Sequence, residues 1–331
     1  MRRFEISYKI YRCILICCFL ILTGCSRESD SLVEKQPWET QTSDKIAQVE
    51  EQSTEEMQQT EESIINEDAT QEKIAEPTVT EVDWSNYFVG INGAAVIYDP
   101  IENCYQIYNQ ELALTRRSPC STFKIISSLV ALENGIIEPD DSTRTWSGEI
   151  FSNEEWNTDI DFDDAFRSSC VWYFREVIDE IGRDTIQEQL NRLEYGNCDI
   201  SDWNGQLNTN SNNPVLTGFW IESSLLISPR EQVEVMERIF GDRTVYSEGT
   251  LNQLKQVMLL SGQSDGDISI YGKTGMGMSY NIVVDSWYTG FADIADKRIY
   301  FCVYLGETDN KDVSSAKARE IAIEIVDAVL R

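Results

Sequence analysis

None of the 331 residues is histidine, and 57 acidic residues against 27 basic ones leave a formal charge of -30. The missing imidazole excludes a Ser-His-Asp triad and two-histidine zinc sites, so hydrolytic chemistry would have to run on serine, lysine, carboxylates or cysteine. The acidic balance argues against nucleic acid as a partner, because binding there rests on Lys and Arg neutralising phosphates.

The chain opens with Arg2, Arg3, Lys9 and Arg12, then a short apolar run from Cys13 to Leu22. That is the charge and length of a signal peptide, too short for a comfortable membrane span. Residues 22–25, Leu-Thr-Gly-Cys, look like a bacterial lipobox, which implies that Cys25 carries lipid and becomes the mature N-terminus; an uncleaved signal anchor is the alternative. Residues 1–25 are thus expected to be a lipoprotein signal peptide that leaves the protein outside the cytoplasm, anchored to the cell membrane. From Ser26 to about Val82 the sequence is Glu, Gln, Thr and Ser with few aromatics, too polar to bury a core. Residues 26–82 read as a disordered acidic tether with a reach of about 40 Å. A helix over Glu50 to Glu72 is the other reading, though it lacks a sustained apolar stripe.

Residues 83–331 are left for one folded domain, long enough for a large core. Ala94 to Tyr98 and Tyr105 to Tyr108, separated by Asp99-Pro100 and Asn103, predict a hairpin. The period then changes. Apolar residues from Phe123 to Leu132 follow a helical rhythm that ends at Gly135, and Pro119 marks a turn before it. At the start of this helix stands the S-x-x-K tetrad Ser121-Thr122-Phe123-Lys124. Three residues along a helix place Lys124 on the same face as Ser121, within reach of a hydroxyl that needs a base. The helix N-terminus also favours developing negative charge. The tetrad alone leaves a plainer reading open, Ser121 as an N-cap and Lys124 as a solvated side chain.

Asp163 to Ile181 predicts a single long helix, followed by helices at Pro229 to Phe240 and Glu248 to Leu260. Strand patterns return at Ile268 to Thr274, Val283 to Ala292 and Ile299 to Leu305, and a last helix runs from Ser314 to Leu330. Strands at both ends with helices between predict an α+β fold, one antiparallel sheet assembled from both chain ends and covered by helices. The five cysteines of this region, Cys104, Cys120, Cys170, Cys198 and Cys302, are odd in number and show no zinc spacing, so they read mostly as small buried groups.

Lys273-Thr274-Gly275 ends a predicted strand, and S-x-x-K followed by K-T-G resembles the motif pair of the penicillin-recognising serine enzymes. Between them, Ser169-Cys170-Val171 and Tyr195-Gly196-Asn197 resemble the class D, oxacillinase-type β-lactamases, as do Phe219-Trp220-Ile221-Glu222 and Ile227-Ser228-Pro229. The likeness covers about Trp84 to Arg331 and suggests a lipoprotein form from a Gram-positive bacterium. It implies the penicillin-binding/β-lactamase-like fold and hydrolysis of β-lactam antibiotics through an acyl-enzyme on Ser121.

By the same resemblance, Lys124 reacts with CO2 or bicarbonate to become N6-carboxylysine, an anionic general base, and no other cofactor or metal is implied. Trp220 and Val171 would stabilise that carbamate, with Ile221 completing the wall around it. Ser169 would relay a proton to the β-lactam nitrogen beside Lys273. Thr274, with Lys273, would face the substrate carboxylate along Gly275 and Met276, and the N–H groups of Ser121 and Met276 would form the oxyanion hole. Tyr195 and Asn197 would shape the substrate site. Many relatives grip the carboxylate with an arginine in the last helix, but neither Lys317 nor Arg319 falls cleanly at that position. Penicillins are the expected ligands, with cephalosporins or carbapenems as further ones. The alternatives are a β-lactam sensor that keeps its acyl group, a penicillin-binding carboxypeptidase or transpeptidase, and an adhesion lipoprotein with a retired site.

Overall fold

The computed structural model describes residues 75–209, 213–260, 268–309, 311 and 313–331. The expected signal peptide, Cys25 and nearly all of the expected tether lie outside the described residues.

Six strands form one sheet: β1 (Thr78–Glu81), β2 (Gly93–Asp99), β3 (Cys104–Tyr108), β4 (Ile268–Ser279), β5 (Ile282–Ile294) and β6 (Lys297–Gly306). Their spatial order is β1-β3-β2-β6-β5-β4, so the sheet is indeed assembled from both ends of the chain. All neighbours are antiparallel except β1 and β3, which run parallel. The predicted hairpin is β2–β3, with Val96 opposite Ile107. Thr78–Glu81, which the sequence places in the tether, is instead an edge strand: backbone pairing with Cys104–Ile107 orders it without any need for burial.

Why the sheet carries helices on both faces is legible in β6. Ile299, Phe301, Val303 and Leu305 point into one buried cluster, and Tyr300, Cys302 and Tyr304 into another. Successive strand residues face opposite sides, so an unbroken apolar run demands cover on both. The long C-terminal helix covers one face through Ile321, Ala322 and Ile325. On the other face pack the remaining long helices, among them α3 (Lys124–Glu133), which follows the short helices α1 (Ser85–Phe88) and α2 (Gln110–Ala113). Next come α4 (Phe162–Arg167), α5 (Val171–Ile181), α6 (Arg183–Leu193), α7 (Pro229–Phe240) and α8 (Glu248–Met258); the C-terminal helix is α9 (Ser315–Leu330). Pro229 at the first turn of α7 and the reciprocal capping box of Ser228 and Glu231 explain its sharp start.

Two helical expectations change. The sequence marks no helix over Arg183–Leu193, because only Ile186, Leu190 and Leu193 are buried among polar neighbours. The helix expected over Asp163 to Ile181 is broken into α4 and α5 by Ser169, which takes a left-handed φ of 59°. Cys170 N–H reaches back to Ala165 O at 2.8 Å and Ser169 N–H to Phe166 O at 3.3 Å, the pair of bonds that closes a Schellman motif. Glycine normally occupies that position. A serine there costs on the order of 1 kcal/mol, so its hydroxyl must be wanted for another reason.

Candidate active site

Helix α3 is buried almost all round, from Ile125 to Ala131, and this fixes the character of the lysine that begins it. Lys124 is only 1% exposed. Its Nζ lies 3.0 Å from Ser121 Oγ and 5.3 Å from the centre of the Phe174 ring. Burial drives its pKa down to about 8, so an appreciable neutral fraction exists near neutral pH. Ser121 itself sits in a 3-10 turn, Cys120–Phe123, which leads into α3 and is half-buried. The tetrad is therefore neither a simple N-cap nor a solvated lysine.

Strand β4 is the last in the sheet, and the turn carrying Ser121 packs against it. The approach explains the glycine of K-T-G. A Cβ on Gly275 would lie 2.9 Å from Pro119 O and 3.2 Å from Thr122 N, backbone atoms that cannot swing aside. Lys273, one register earlier on the same side of the strand, is buried, and its Nζ is 2.5 Å from Ser169 Oγ and 3.2 Å from Thr274 O. Burial pushes the Lys273 ammonium well below its usual pKa, and the charges of Lys124 and Arg319 push the same way. Neither lysine has a carboxylate among the described groups that act on it. The two buried amines thus repel one another.

The structure brings together Ser121, Lys124, Ser169, Lys273 and Thr274. Trp220 is fully buried and stacks on Phe123 at 6.0 Å, while Arg175 lies 5.3 Å over its other neighbouring face and 5.2 Å over Trp203. Val171, Ile221 and Thr274 are half-buried, and Met276 is exposed at the rim. Tyr195 and Asn197, expected to shape the substrate site, turn their side chains to the protein's own framework. Tyr195 has no exposed surface and meets Phe123 edge-on at 5.7 Å. Asn197 spends its amide on backbone, donating to Ser224 O at 2.8 Å and accepting from Leu226 N at 2.9 Å. They are the frame of the loop that carries Trp220.

Arg319 is the residue the sequence misjudged. With Lys273, Thr274 and Tyr288 it lines a cleft of about 240 Å³. Ala318 beside it is buried against the sheet, which is the signal that puts Arg319 on the flank of α9 nearest β4. Glu222 and Asp285 were also unforeseen. Burial raises both carboxyl pKa values, helped for Glu222 by the charge of the neighbouring Asp285. Cys104, Cys120, Cys170, Cys198 and Cys302 are free thiols; Cys120, Cys170 and Cys302 are buried.

Residues 39–327 match the family model of the penicillin binding protein transpeptidase domain. The chain is 32% identical over 248 residues to the regulatory protein BlaR1 of Bacillus licheniformis, covering 74% of this chain and 38% of that protein. It is 30% identical over 249 residues to β-lactamase OXA-1 of Escherichia coli, covering 74% of this chain and 87% of that enzyme. Among solved structures, the C-terminal domain of the Bacillus licheniformis BlaR penicillin-receptor superposes with a TM-score of 0.66 at 30% identity, over 77% of this chain and 98% of that domain.

Proposed function

The chain belongs to the penicillin-binding protein transpeptidase domain family, and from that premise we propose that it is a class D-type serine β-lactamase, a hydrolase that opens β-lactams through an acyl-enzyme on Ser121. The observation that carries the reading is the 3.0 Å contact between Ser121 Oγ and a buried, partly neutral Lys124. A neutral amine at that distance takes the serine proton as the oxygen attacks the lactam carbonyl. The negative charge then forming on the carbonyl oxygen falls to the N–H groups of Ser121 and Met276. Ser169, bonded to Lys273, hands a proton to the lactam nitrogen as the ring opens. Thr274, Lys273 and Arg319 around one cleft suit the substrate carboxylate.

The site also fits N6-carboxylysine at Lys124, formed from CO2. Among the described residues no carboxylate acts on either buried amine, and a carbamate would supply an anion that relieves the repulsion on Lys273. Carboxylation would make Lys124 an anionic general base, unprotonated at neutral pH, for the water that cleaves the acyl-enzyme. In this reading Trp220 and Val171 hold the carbamate, and Trp220 is tied to the tetrad by its stacking on Phe123.

A second reading is a sensor that is acylated and keeps the adduct; the likeness to the BlaR penicillin-receptor domain favours it. A chromogenic cephalosporin with and without bicarbonate separates the two. Multiple turnover sustained by bicarbonate supports the hydrolase, whereas one equivalent of stable adduct would overturn it in favour of the sensor. Membrane attachment through lipid on Cys25 is part of the proposal, and the mass of the detergent-extracted N-terminus tests it.

A further inference from the structure

Three non-glycine residues in this site hold left-handed backbone: Ser169, Cys120 at φ 49° and Glu222 at φ 45°. The proton relay accounts for the first. The other two are joined to each other. Cys120 Sγ lies 3.2 Å from Glu222 Oε1, and Ser118 Oγ accepts the Glu222 N–H at 2.8 Å while donating to Trp220 O at 3.1 Å. On its other side Glu222 Oε1 packs so closely on Gly277 that a Cβ there would collide with it and with Cys120 Sγ. Cys120 directly precedes Ser121, and Gly277 directly follows Met276. One carboxyl therefore touches both residues that flank the two expected oxyanion-hole donors.

Glu222 does not act alone. Asp285 is the cross-strand partner of Gly277, is buried, and stands near enough to the Glu222 carboxyl for its charge to raise that group's pKa. Tyr304 donates to its Oδ1 at 2.5 Å. Two buried carboxyls stay side by side without repulsion only while one of them keeps its proton.

We propose that Glu222, paired with Asp285, is a positioning residue that clamps the oxyanion hole by holding the Cys120 turn against β4 at Gly277. The inference rests on the acylation of Ser121 proposed above. Removing an oxyanion donor costs on the order of a hundredfold in rate, and a misplaced pair of donors costs a sizeable part of that. The charged and titratable groups facing the pair are Cys120 on the turn, Tyr304 on β6 and Arg117 before the turn. Both carboxyls are raised, Glu222 to about 8, so a proton remains on the pair at neutral pH and is lost as pH rises. Its loss leaves two like charges in contact, which drives Glu222 off Asp285 and loosens the clamp.

The test is the second-order rate of acylation by a fluorescent penicillin between about pH 6 and 9, with affinity for phenylboronic acid as a second reading of the oxyanion hole. The full-length wild type is compared with Glu222→Ala, Glu222→Gln and Asp285→Asn. Glu222→Ala is expected to acylate about tenfold more slowly and to bind the boronate correspondingly less tightly. Glu222→Gln, which mimics the protonated acid, restores most of both. The wild type loses rate at the alkaline end through the pair, and that loss is absent from Glu222→Gln and Asp285→Asn. A wild-type rate in Glu222→Ala, or the same alkaline loss in Glu222→Gln, overturns the clamp. Should Glu222→Ala fail to fold, the pH profile of Glu222→Gln decides alone. A wild type that forms no penicillin adduct overturns the proposed function and the clamp together; adduct formation indifferent to Glu222 overturns the clamp only.

Discussion

Lys273 Nζ lies 2.5 Å from the hydroxyl of Ser169, a serine standing where helix geometry would choose glycine. The left-handed backbone at Ser169 is strain retained for that hydroxyl. Ser169→Gly should therefore hold the melting temperature or raise stability by up to about 1 kcal/mol while slowing acylation about a hundredfold. A loss of stability comparable to the loss of rate would mean the serine is there for folding.

Lys124 carries a second trade between stability and chemistry. Its pKa falls from 10.5 unfolded to about 8 in the fold, because burial disfavours the cation. Between these values the unfolded state binds more protons, so stability rises with pH across that window and is lowest below about pH 8. Lys124→Met removes the buried amine. It should abolish acylation and stabilise the protein by up to about 3 kcal/mol at pH 7, and should flatten the rise in denaturation midpoint above pH 8. These measurements are made without bicarbonate, so that the amine itself titrates.

Trp220 packs between Phe123 and Arg175, and its proposed part is to hold the carboxylated lysine. Trp220→Phe keeps an aromatic surface for both neighbours and deletes the indole N–H. Acylation should fall only a few-fold, whereas deacylation should slow about tenfold or more, seen as a burst followed by a weak steady state. Equal losses in both steps would count against a role in the second.

Arg319 is exposed at the mouth of the Thr274 cleft, so its ion pair with a substrate carboxylate is screened by water. Arg319→Gln should raise KM by about three- to tenfold with kcat nearly kept, and added salt should shrink the difference. An unchanged KM would leave carboxylate recognition to Thr274 and Lys273.

Much of the fold and of the site was legible in order along the chain. The absence of histidine, the spacing of Ser121 and Lys124 within one turn, K-T-G at a strand end and the period-2 and helical runs are local facts that no packing can change. What sequence could not supply is everything that depends on which segments meet. Lys124 becomes a base only because α3 is buried all round, and Ser169 reaches Lys273 only because a Schellman turn splits a continuous helical pattern. Tyr195 and Asn197 proved to pack into the protein's own frame, the one as a fully buried ring and the other through an amide bonded to backbone. Glu222 and Asp285 lie 63 positions apart and share no motif. By itself the sequence determined the reactive groups and their chain order; the tertiary structure decided their protonation and their partners, because both follow from desolvation and contact between segments that are distant in the chain.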